Sequence, residues 1–243
     1  MTIILAGMHR SGTSMFARFM HESGIRMGED FYRDETSNKY GHYEDLDFLN
    51  LQRNELAQHF KGEDYLIYED FPVSLDFLKW SIKLYRQKAR DNKGKPWGWK
   101  DPRTSIFLHH WHAIDRDAAF IFIVRKPEDV VNSLCRLLKT KRSHKQKSRY
   151  LKTYIYYNRQ IILFLKKHQQ KNMSVVGFDN LISKPEDSLI KISNQTGFHF
   201  DPRLFRELFD SQVISSPQGV RFGYLQNVLE DAHKTYTELS KYF

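Results

Sequence analysis

The sequence predicts a single α/β domain over residues 1–243, built on a doubly wound parallel sheet with helices on both faces. Three observations support this prediction. Short apolar runs alternate along the chain with longer stretches of helical periodicity, which is the order of strand–helix–strand units. The first apolar run leads into a loop bracketed by two glycines. No repeat, low-complexity tract or Pro/Gly-rich linker divides the chain, and a hydrophobic content of 40% suffices for one sizeable core.

Four short runs have the character of strands that are buried on both faces. Each is mostly apolar and bounded by polar residues, as expected for a parallel sheet that is covered by helices. In chain order the predicted strands are Thr2–Ala6, Trp97–Trp99, Ala119–Val124 and Met173–Phe178.

Six stretches between and after these strands carry helical signals. Apolar residues recur near helical spacing, and Pro127 and Pro185 stand where the first turn of a helix tolerates proline. In chain order the predicted helices are Ser14–Glu22, Asp45–Phe60, Leu75–Arg90, Glu128–Thr140, Tyr150–His168 and Glu186–Thr196.

The loop after the first strand runs from Gly7 to Gly12. A strand, a Gly-x-x-x-x-Gly loop and a helix in this order form the phosphate-cradling arrangement, so the predicted fold is P-loop NTPase-like. The loop is not a Walker A loop, because Thr13 stands where lysine should be and the one loop cation, Arg10, precedes Gly12. Since that lysine spans the β- and γ-phosphates in nucleotide triphosphatases, ordinary ATP or GTP hydrolysis is disfavoured.

Cations follow the next two predicted strands. Lys100 and Arg103 come after the second strand, Arg125 follows the third, and Ser133 lies about two turns into the helix behind Arg125. Because the carboxyl ends of parallel strands meet at one edge, we expect these side chains to converge with the glycine loop on one cleft. The third strand ends in Arg125 rather than in the carboxylate that holds magnesium in P-loop kinases and GTPases.

These blocks, in this order, resemble those of sulfotransferases that use 3′-phosphoadenosine 5′-phosphosulfate (PAPS). Residues 7–14 resemble the 5′-phosphosulfate loop, in the Arg-Ser-Gly-Thr form of the tyrosylprotein and many bacterial members. Residues 124–133 resemble the 3′-phosphate motif, a strand ending in Arg with a Ser eight residues on. Lys100-Asp101-Pro102 is similar to the Lys-Asp-Pro of the tyrosylprotein branch, and residues 178–181 stand where the family often has Tyr-Glu-Asp-Leu.

The resemblance covers roughly residues 2–200, with about 30–95 expected as a helical insertion on the acceptor side. It implies PAPS as donor, its product 3′-phosphoadenosine 5′-phosphate (PAP), and a hydroxyl-bearing acceptor such as a glycan. Two separated anionic groups on the donor need two separated anion sites. The implied donor-binding residues are Ser11, Gly12, Thr13 and Ser14 for the 5′-phosphosulfate, and Arg125 and Ser133 for the 3′-phosphate.

Arg10 and Lys100 are the predicted catalytic cations. Sulfuryl transfer should be an in-line displacement like phosphoryl transfer, in which cations already placed at the charge-gaining oxygens do most of the catalysis, and it requires no metal. The alternative for Lys100 is an ion pair with Asp101 or a position on the surface.

The acceptor hydroxyl needs a base, and the best segment for one is Asn38–Asp45. Related bacterial sulfotransferases often carry a similar Gly-His-x-Glu-Asp stretch. Glu44 is the first choice, with Asp45 and His42 in reserve, because a carboxylate accepts the proton late, once the hydroxyl has become acidic. Both carboxylates could instead cap the helix that starts near Asp45.

The net charge of +9, from 38 Lys and Arg against 29 Asp and Glu, suits an anionic ligand. Eight of these cations lie between Arg136 and Lys152, either as a solvated helix end and loop or as a basic segment over an anion site. No nucleic-acid-binding module accompanies them. One cysteine, Cys135, indicates a reducing compartment. With no signal-peptide pattern and no apolar run near the ~20 residues of a membrane span, the sequence predicts a soluble cytoplasmic protein.

Other residues that suggest chemistry have simpler interpretations. Among His109, His110 and His112, the first and last could share a helical face. No cysteine or third ligand lies at a useful spacing from them, so no metal site is predicted. Cys135 lies inside a predicted helix, where a small buried hydrophobe is favoured over a nucleophile. For Tyr154, Tyr156, Tyr157 and other aromatic residues, core packing is favoured over lining the acceptor site.

The sequence therefore predicts a PAPS-dependent sulfotransferase, with a carbohydrate or small-metabolite hydroxyl favoured over a peptide tyrosine as acceptor. Two alternatives remain. One is a P-loop kinase with a non-standard phosphate loop, which Thr13 argues against. The other is a non-catalytic nucleotide- or polyanion-binding protein on the same fold, which would keep Arg10 and Arg125 but show no turnover.

Overall fold

Four parallel strands form the sheet of the computed structural model, which describes residues 1–33, 41–61, 64–137, 143–168, 172–209 and 222–243. Their order in space is β2-β1-β3-β4. Every strand residue is buried, as expected when helices cover both faces of a parallel sheet. The strands are β1 (Thr2–Ala6), β2 (Trp97–Lys100), β3 (Ala119–Val124) and β4 (Met173–Gly177).

Helices connect and cover the strands, and two short 3₁₀ helices, Pro102–Ile106 and Gly223–Leu225, complete the elements of the described residues. The α-helices are α1 (Thr13–Glu22), α2 (Leu46–His59), α3 (Leu75–Asp91), α4 (Leu108–Ile114), α5 (Pro127–Leu137), α6 (His144–Lys167), α7 (Phe178–Ser183), α8 (Pro185–Thr196), α9 (Pro202–Leu208) and α10 (Gln226–Ser240).

Alternate residues of the strands belong to two separate cores. On one face, Ile3 of β1 and Ile121 of β3 pack with apolar residues of α1 and α8. On the other face, Ile4, Phe120 and Trp99 pack with apolar residues of α2 and α6. The period of two along a strand sends successive side chains to opposite faces, so the sheet is held rigidly from both sides.

β1 is an interior strand, with β2 on one side and β3 on the other. The chain therefore leaves β1 toward one edge of the sheet and later returns to build the other. In open α/β sheets, ligands bind in the crevice at the carboxyl ends of the strands where the order reverses in this way. The loop after β1 lies at that crevice, between the ends of β2 and β3.

The predicted fold class is confirmed, and the predicted strands differ from the observed ones by one residue at most. β2 runs on to Lys100, and β4 ends at Gly177 rather than Phe178. Phe178 is instead the first residue of α7, with Gly177 in extended conformation as its N-cap.

Four helices were missed. Three of them, α4, α7 and α9, have seven residues or fewer, which is too short for a helical period to show. The fourth, α10, buries only Ala232, Thr235 and Leu239 among its fifteen residues. Apolar residues nonetheless recur at helical spacing along it, at Val228, Leu229, Ala232, Tyr236 and Leu239, so the helical signal is present in the sequence and was overlooked.

The basic segment after α5 is partly helical. α6 begins at His144 rather than at Tyr150, because Ser143 caps it by accepting a hydrogen bond from the Gln146 backbone N–H at 3.4 Å. The helix predicted over Glu128–Thr140 is observed as far as Leu137, and residues 138–142 lie outside the described residues.

The described part of residues 30–95 contains α2 and α3, while residues 34–40 and 62–63 are outside the described ranges. The first three residues of the Asn38–Asp45 segment are among those not described. Across the described helices, none combines the length and the apolar character needed to cross a bilayer.

Candidate active site

The loop after β1 depends on its two glycines. Gly7 has a φ of 149°, and a Cβ on it would lie 2.5 Å from the Ile123 carbonyl oxygen. Gly12 has a φ of 94°, and a Cβ there would overlap the Phe178 ring. Ser105 also holds the loop, since its Oγ accepts a hydrogen bond from the Gly7 N–H at 3.0 Å. The loop therefore lies directly against β3 and α7.

The predicted 5′-phosphosulfate residues lie at the junction of this loop with α1. Ser11 is buried and its backbone N–H donates to the Met8 carbonyl at 3.1 Å. Gly12 is the N-cap and Thr13 the first residue of α1. No side chain among the described residues caps this helix start, so its first amides are free to meet an anion.

Gly12→Ala is expected to destabilise the fold by about 1–3 kcal/mol, because alanine is strained at this φ and its methyl group overlaps Phe178. Denaturant unfolding measures the loss. Gly24→Ala is the matched control, since Gly24 has the same φ of 94° but nothing within 4 Å of the added methyl group. Equal losses in both variants would show that contact with Phe178 is not what requires glycine at position 12.

Arg10 joins the loop to α5. It has a φ of 69°, and its Nε donates a hydrogen bond to Ser133 Oγ at 2.9 Å. Arg10 is predicted to act on the sulfuryl group and Ser133 on the 3′-phosphate, and the structure brings these two side chains together. Burial lowers the pKa of the Arg10 guanidinium, and the nearby charge of Arg136 lowers it further, against an opposing effect of Tyr65. Arg10 is therefore a buried cation whose positive charge is not fully balanced by negative groups nearby.

Arg125, at the end of β3, lies on the other side of the same loop. Its guanidinium carbon is 4.6 Å from the centre of the Phe178 ring, and its Nη1 donates to the Arg10 carbonyl at 3.4 Å. The Nε lies 3.7 Å from Asp129 Oδ2, within ion-pair range but beyond hydrogen-bond distance. Burial lowers the pKa of Arg125 although Asp129 and Asp179 oppose it. Arg125 is therefore a second, incompletely neutralised cation.

Lys100, the last residue of β2, connects the start of α1 to the acidic segment before α2. Its Nζ donates to Ser14 Oγ at 3.0 Å and lies 2.7 Å from Glu44 Oε1. Lys100 is only 1% exposed and Glu44 only 7%. Both alternatives for Lys100 were wrong: its ion pair is with Glu44 rather than Asp101, and it is not on the surface.

Glu44 is ionised at neutral pH in this setting. Burial favours its protonated form, but the charges of Lys100 and Arg103 and the hydrogen bond from Lys100 outweigh burial and lower the pKa of the carboxyl. A carboxylate that is held beside an ammonium and is free of its proton has the state that a general base requires.

The two reserve residues have other neighbours. Asp45 caps α2 by accepting from the Asp47 N–H at 3.0 Å, and its Oδ2 lies 2.9 Å from Lys88 Nζ. His42 packs its ring against Tyr32 at 5.1 Å between centroids. The capping alternative thus holds for Asp45, while Glu44 is directed to Lys100.

A second pair of charges, Arg103 and Asp101, lies near Lys100 and Glu44. Arg103 is one of the cations expected at the cleft, whereas no pairing with Asp101 is predicted for it. Asp101 Oδ1 accepts from the Arg103 backbone N–H at 2.7 Å and from Arg103 Nη1 at 3.0 Å. Arg103 also reaches Asp64 Oδ2 at 3.2 Å. Burial raises the pKa of Asp101 to about 6 despite Arg103. Arg103 is apparent in the sequence as a basic residue after β2, but its partner Asp64 comes from a distant segment.

His9 is a further residue of the glycine loop, and no role is predicted for it from the sequence. Its ring lies 3.9 Å from that of Tyr65, and its Nε2 lies 3.5 Å from the Tyr157 hydroxyl. Burial and the charges of Arg103, Lys100 and Arg10 hold the pKa of His9 well below its usual value, so the imidazole is neutral. Core packing is confirmed for Tyr154 and Tyr157, which are fully buried.

The comparisons with known proteins point to one family. A family model described as "Sulfotransferase family" matches residues 2–202. A search of curated proteins gave no significant match to the chain.

Three solved structures illustrate the similarity in fold. A sulfotransferase domain from the curacin biosynthetic pathway is 14% identical, with 98% of this chain and 97% of that chain covered and a TM-score of 0.59. Sulfotransferase STF1 from Mycobacterium tuberculosis H37Rv is 16% identical, with 96% and 76% covered and a TM-score of 0.58. A sulfotransferase domain from the Synechococcus PCC 7002 olefin synthase is 15% identical, with 96% and 94% covered and a TM-score of 0.58. At these identities the likeness shows the P-loop NTPase-like fold.

Proposed function

The chain belongs to the sulfotransferase family, and from this premise we propose that it transfers a sulfuryl group from PAPS to an acceptor hydroxyl. One observation carries the proposal. The buried ammonium of Lys100 lies within hydrogen-bond distance of both Ser14, at the start of α1, and the Glu44 carboxylate. This links an anion-binding loop, a cation and a base in one chain of contacts, which are the components that group transfer to a hydroxyl needs.

The excess positive charge supports an anionic donor at this edge of the sheet. The pKa values of Arg10 and Arg125 are both lowered, chiefly by burial, and a bound anion would relieve this. We propose that residues 11–14 hold the 5′-phosphosulfate through backbone amides and hydroxyls, and that Arg125 and Ser133 hold the 3′-phosphate. The planar guanidinium of Arg125 suits a phosphate group, since its fork of donors matches two phosphate oxygens.

When bound, PAPS supplies an activated sulfuryl group. Lys100 and Arg10 stabilise the oxygens that gain negative charge, and this stabilisation needs no metal ion. Glu44 takes the proton of the acceptor hydroxyl as the acceptor oxygen bonds to sulfur and the bond between sulfur and the 5′-phosphate oxygen breaks. The products are a sulfate ester and PAP.

A carbohydrate or small-metabolite hydroxyl is the proposed acceptor class, because the resemblance to the tyrosylprotein branch rests on two short blocks. The single cysteine, Cys135, is a buried thiol outside any disulfide, which supports a reducing compartment such as the cytoplasm as the proposed location. The family match and Thr13 both argue against the kinase alternative.

Calorimetry with PAP and with ADP, each with and without Mg²⁺, tests the donor. Metal-independent binding with a clear preference for PAP is expected. A preference for magnesium nucleotides would favour a kinase, and binding of neither nucleotide would favour a polyanion-binding protein. PAP binding without turnover on any carbohydrate or metabolite acceptor would favour a non-catalytic nucleotide-binding protein.

Arg125→Ala is expected to weaken PAP binding by about 1.5–3 kcal/mol, the range for a hydrogen bond to a charged group, and to leave ADP binding nearly unchanged. Calorimetry measures both. Lys126→Ala is the matched control: it removes the adjacent positive charge, but Lys126 is exposed and paired with Asp179, so we expect a change of about twofold or less. If the parent protein binds PAP and ADP equally, the 3′-phosphate assignment is wrong.

A further inference from the structure

Two of the three clustered histidines meet a third histidine from a distant helix end. His109 and His112 are three residues apart on α4 and share a face. His168, the C-cap of α6, lies against that face. His110 points elsewhere, with its Nε2 2.5 Å from Ser81 Oγ. The third imidazole is not apparent from the sequence, because 56 residues separate His112 from His168 (168 − 112).

The histidine cluster consists of His109, His112 and His168. It lies at the amino ends of β3 and β4, whereas the proposed donor site lies at the carboxyl ends of the strands. α4 ends just before β3 begins, and His168 lies just before β4. The ring of His112 is 6.2 Å from that of Phe120, the second residue of β3. The glycine loop and Arg125, by contrast, follow the carboxyl ends of β1 and β3. The cluster is therefore separate from the residues proposed for sulfuryl transfer.

The three imidazoles line a half-open cavity together with Arg116 and Lys167. His109 Nδ1 and His168 Nε2 are 3.1 Å apart, and the rings of His112 and His168 are 4.2 Å apart between centroids. The cavity volume is about 340 Å³, which exceeds the room that a single ion needs, since one water occupies about 30 Å³ of the liquid.

His112, one of the residues that line the cavity, has an unpaired polar atom. The residue is only 5% exposed, and its Nε2 has no hydrogen-bond partner among the described residues. Leaving a buried polar group unpaired is costly. This nitrogen has almost no accessible surface, so a ligand oxygen would pair with it only after the ring moves, and that pairing would recover the free energy.

All the charges that face the cavity are positive or can become so. No carboxylate is among its described lining residues, which are the three histidines, Ala113, Arg116 and Lys167. Asp115, at the end of α4, accepts a hydrogen bond from Tyr85 instead. Lys166, on α6, is paired with Glu238. Arg116 and Lys167 form no ion pair within the described part of the chain.

A cavity lined by positive groups and by no described carboxylate favours an anion over a cation as its ligand. Within the described residues, no group of three or more His, Cys, Asp or Glu side chains is arranged to hold a metal ion. We propose that this cavity binds a tetrahedral oxyanion, a sulfate or phosphate group, free or at the end of a small ester. The imidazoles donate hydrogen bonds to its oxygens, while Arg116 and Lys167 supply fixed positive charge. This site is additional to the proposed donor site.

Burial lowers the pKa values of His109 and His168, and mutual repulsion with the nearby cations adds to the effect. A bound oxyanion favours the protonated imidazoles and raises these pKa values. By linkage, the anion must then bind more tightly as the pH falls through the histidine range. Inorganic sulfate is the better first probe, because its charge stays constant over that range.

Selective ¹⁵N labelling of the eleven histidines allows NMR to observe this site apart from any anion at the glycine loop. Titration with inorganic sulfate is expected to shift the signals of His109, His112 and His168 with one shared dissociation constant. Binding should be at least about fivefold tighter at about pH 6 than at about pH 8. Single His→Asn variants assign the three signals.

The double variant Arg116→Gln, Lys167→Gln is expected to weaken sulfate binding at this cluster at least about fivefold. Both residues lie outside the proposed active site and outside the buried core, so folding should be preserved. Lys166→Gln is the matched control, since it removes a charge from the same helix end but one that is paired with Glu238.

Ribose 5-phosphate and inorganic phosphate, compared on the parent protein, separate a small ester from a free ion. Tighter binding of the ester assigns the cavity to a phosphorylated small molecule, and equal binding assigns it to the oxyanion alone. Three outcomes would overturn the proposal. The cluster signals could fail to move with any of the anions, they could move equally in the double variant, or they could respond to Zn²⁺ and not to sulfate.

Discussion

Glu44→Gln is expected to lower kcat by about 10²–10⁴-fold, the range for removal of a positioned general base. Glutamine at this position keeps the size of the side chain and an oxygen that can accept a hydrogen bond from Lys100, but it cannot take a proton from the acceptor. Binding of PAP should change little, because Glu44 is not among the proposed donor-binding residues. Steady-state kinetics that follow formation of the sulfated acceptor measure the effect on kcat. Calorimetry with PAP measures the effect on donor binding.

Asp45→Asn is the matched control for this substitution. Asp45 is the adjacent buried carboxylate and also has an ammonium partner, Lys88, so its removal should cost stability without the same loss of turnover. If Asp45→Asn abolishes turnover and Glu44→Gln does not, the base is Asp45. A Glu44→Gln enzyme with full turnover and unchanged PAP binding would show that Glu44 only holds Lys100 in place.

The lowered pKa of Glu44 gives this residue a characteristic pH dependence. The acidic limb of kcat/KM, which reports the free enzyme, should lie below the ordinary glutamate value of 4.5, and it should be absent in the glutamine variant. The ion pair stabilises the fold above the unfolded-state pKa, and this stabilisation is lost as the pH falls through the lower folded-state pKa. The difference in unfolding free energy between parent and variant should therefore shrink in acid.

The strands and the ends of the strands were predictable because they depend on local pattern. Runs such as Ala119–Val124 are apolar throughout, and a parallel sheet places whatever follows them at one edge. The glycine loop was equally visible, since its spacing and the residue after Gly12 are read directly from the chain. For these features, neighbouring residues in the sequence already determine the structure.

The partners of the charged residues were not predictable, because they come from distant segments. Arg10 and Ser133 are 123 residues apart, Lys100 and Glu44 are 56 apart, and Arg103 and Asp64 are 39 apart. A strand-end cation can reach any of several carboxylates, and only packing decides between them. For this reason the sequence suggested Asp101 as a partner for Lys100, whereas Asp101 is held by Arg103.

Lys100→Met is expected to lower kcat by about 10²–10³-fold, since a preorganised group that stabilises the developing charge is removed. Methionine approximates the length of the lysine side chain without its charge. The same substitution leaves Glu44 buried beside no ammonium, and breaking a buried ion pair costs about 3–5 kcal/mol of stability. A loss of turnover in this variant alone would therefore not separate catalysis from folding.

The double variant Lys100→Met, Glu44→Gln separates them. Removing both charges abolishes the uncompensated carboxylate, so stability should recover most of what Lys100→Met loses, because replacing a whole buried pair is often nearly neutral. Turnover should stay as low as in the less active of the two single variants, because both the cation and the base are then missing. Denaturant unfolding and kcat, measured on all four proteins of the cycle, give the two coupling energies independently. Recovery of turnover together with stability would mean that Lys100 and Glu44 form a structural ion pair, and that the catalytic cation must be sought in Arg10.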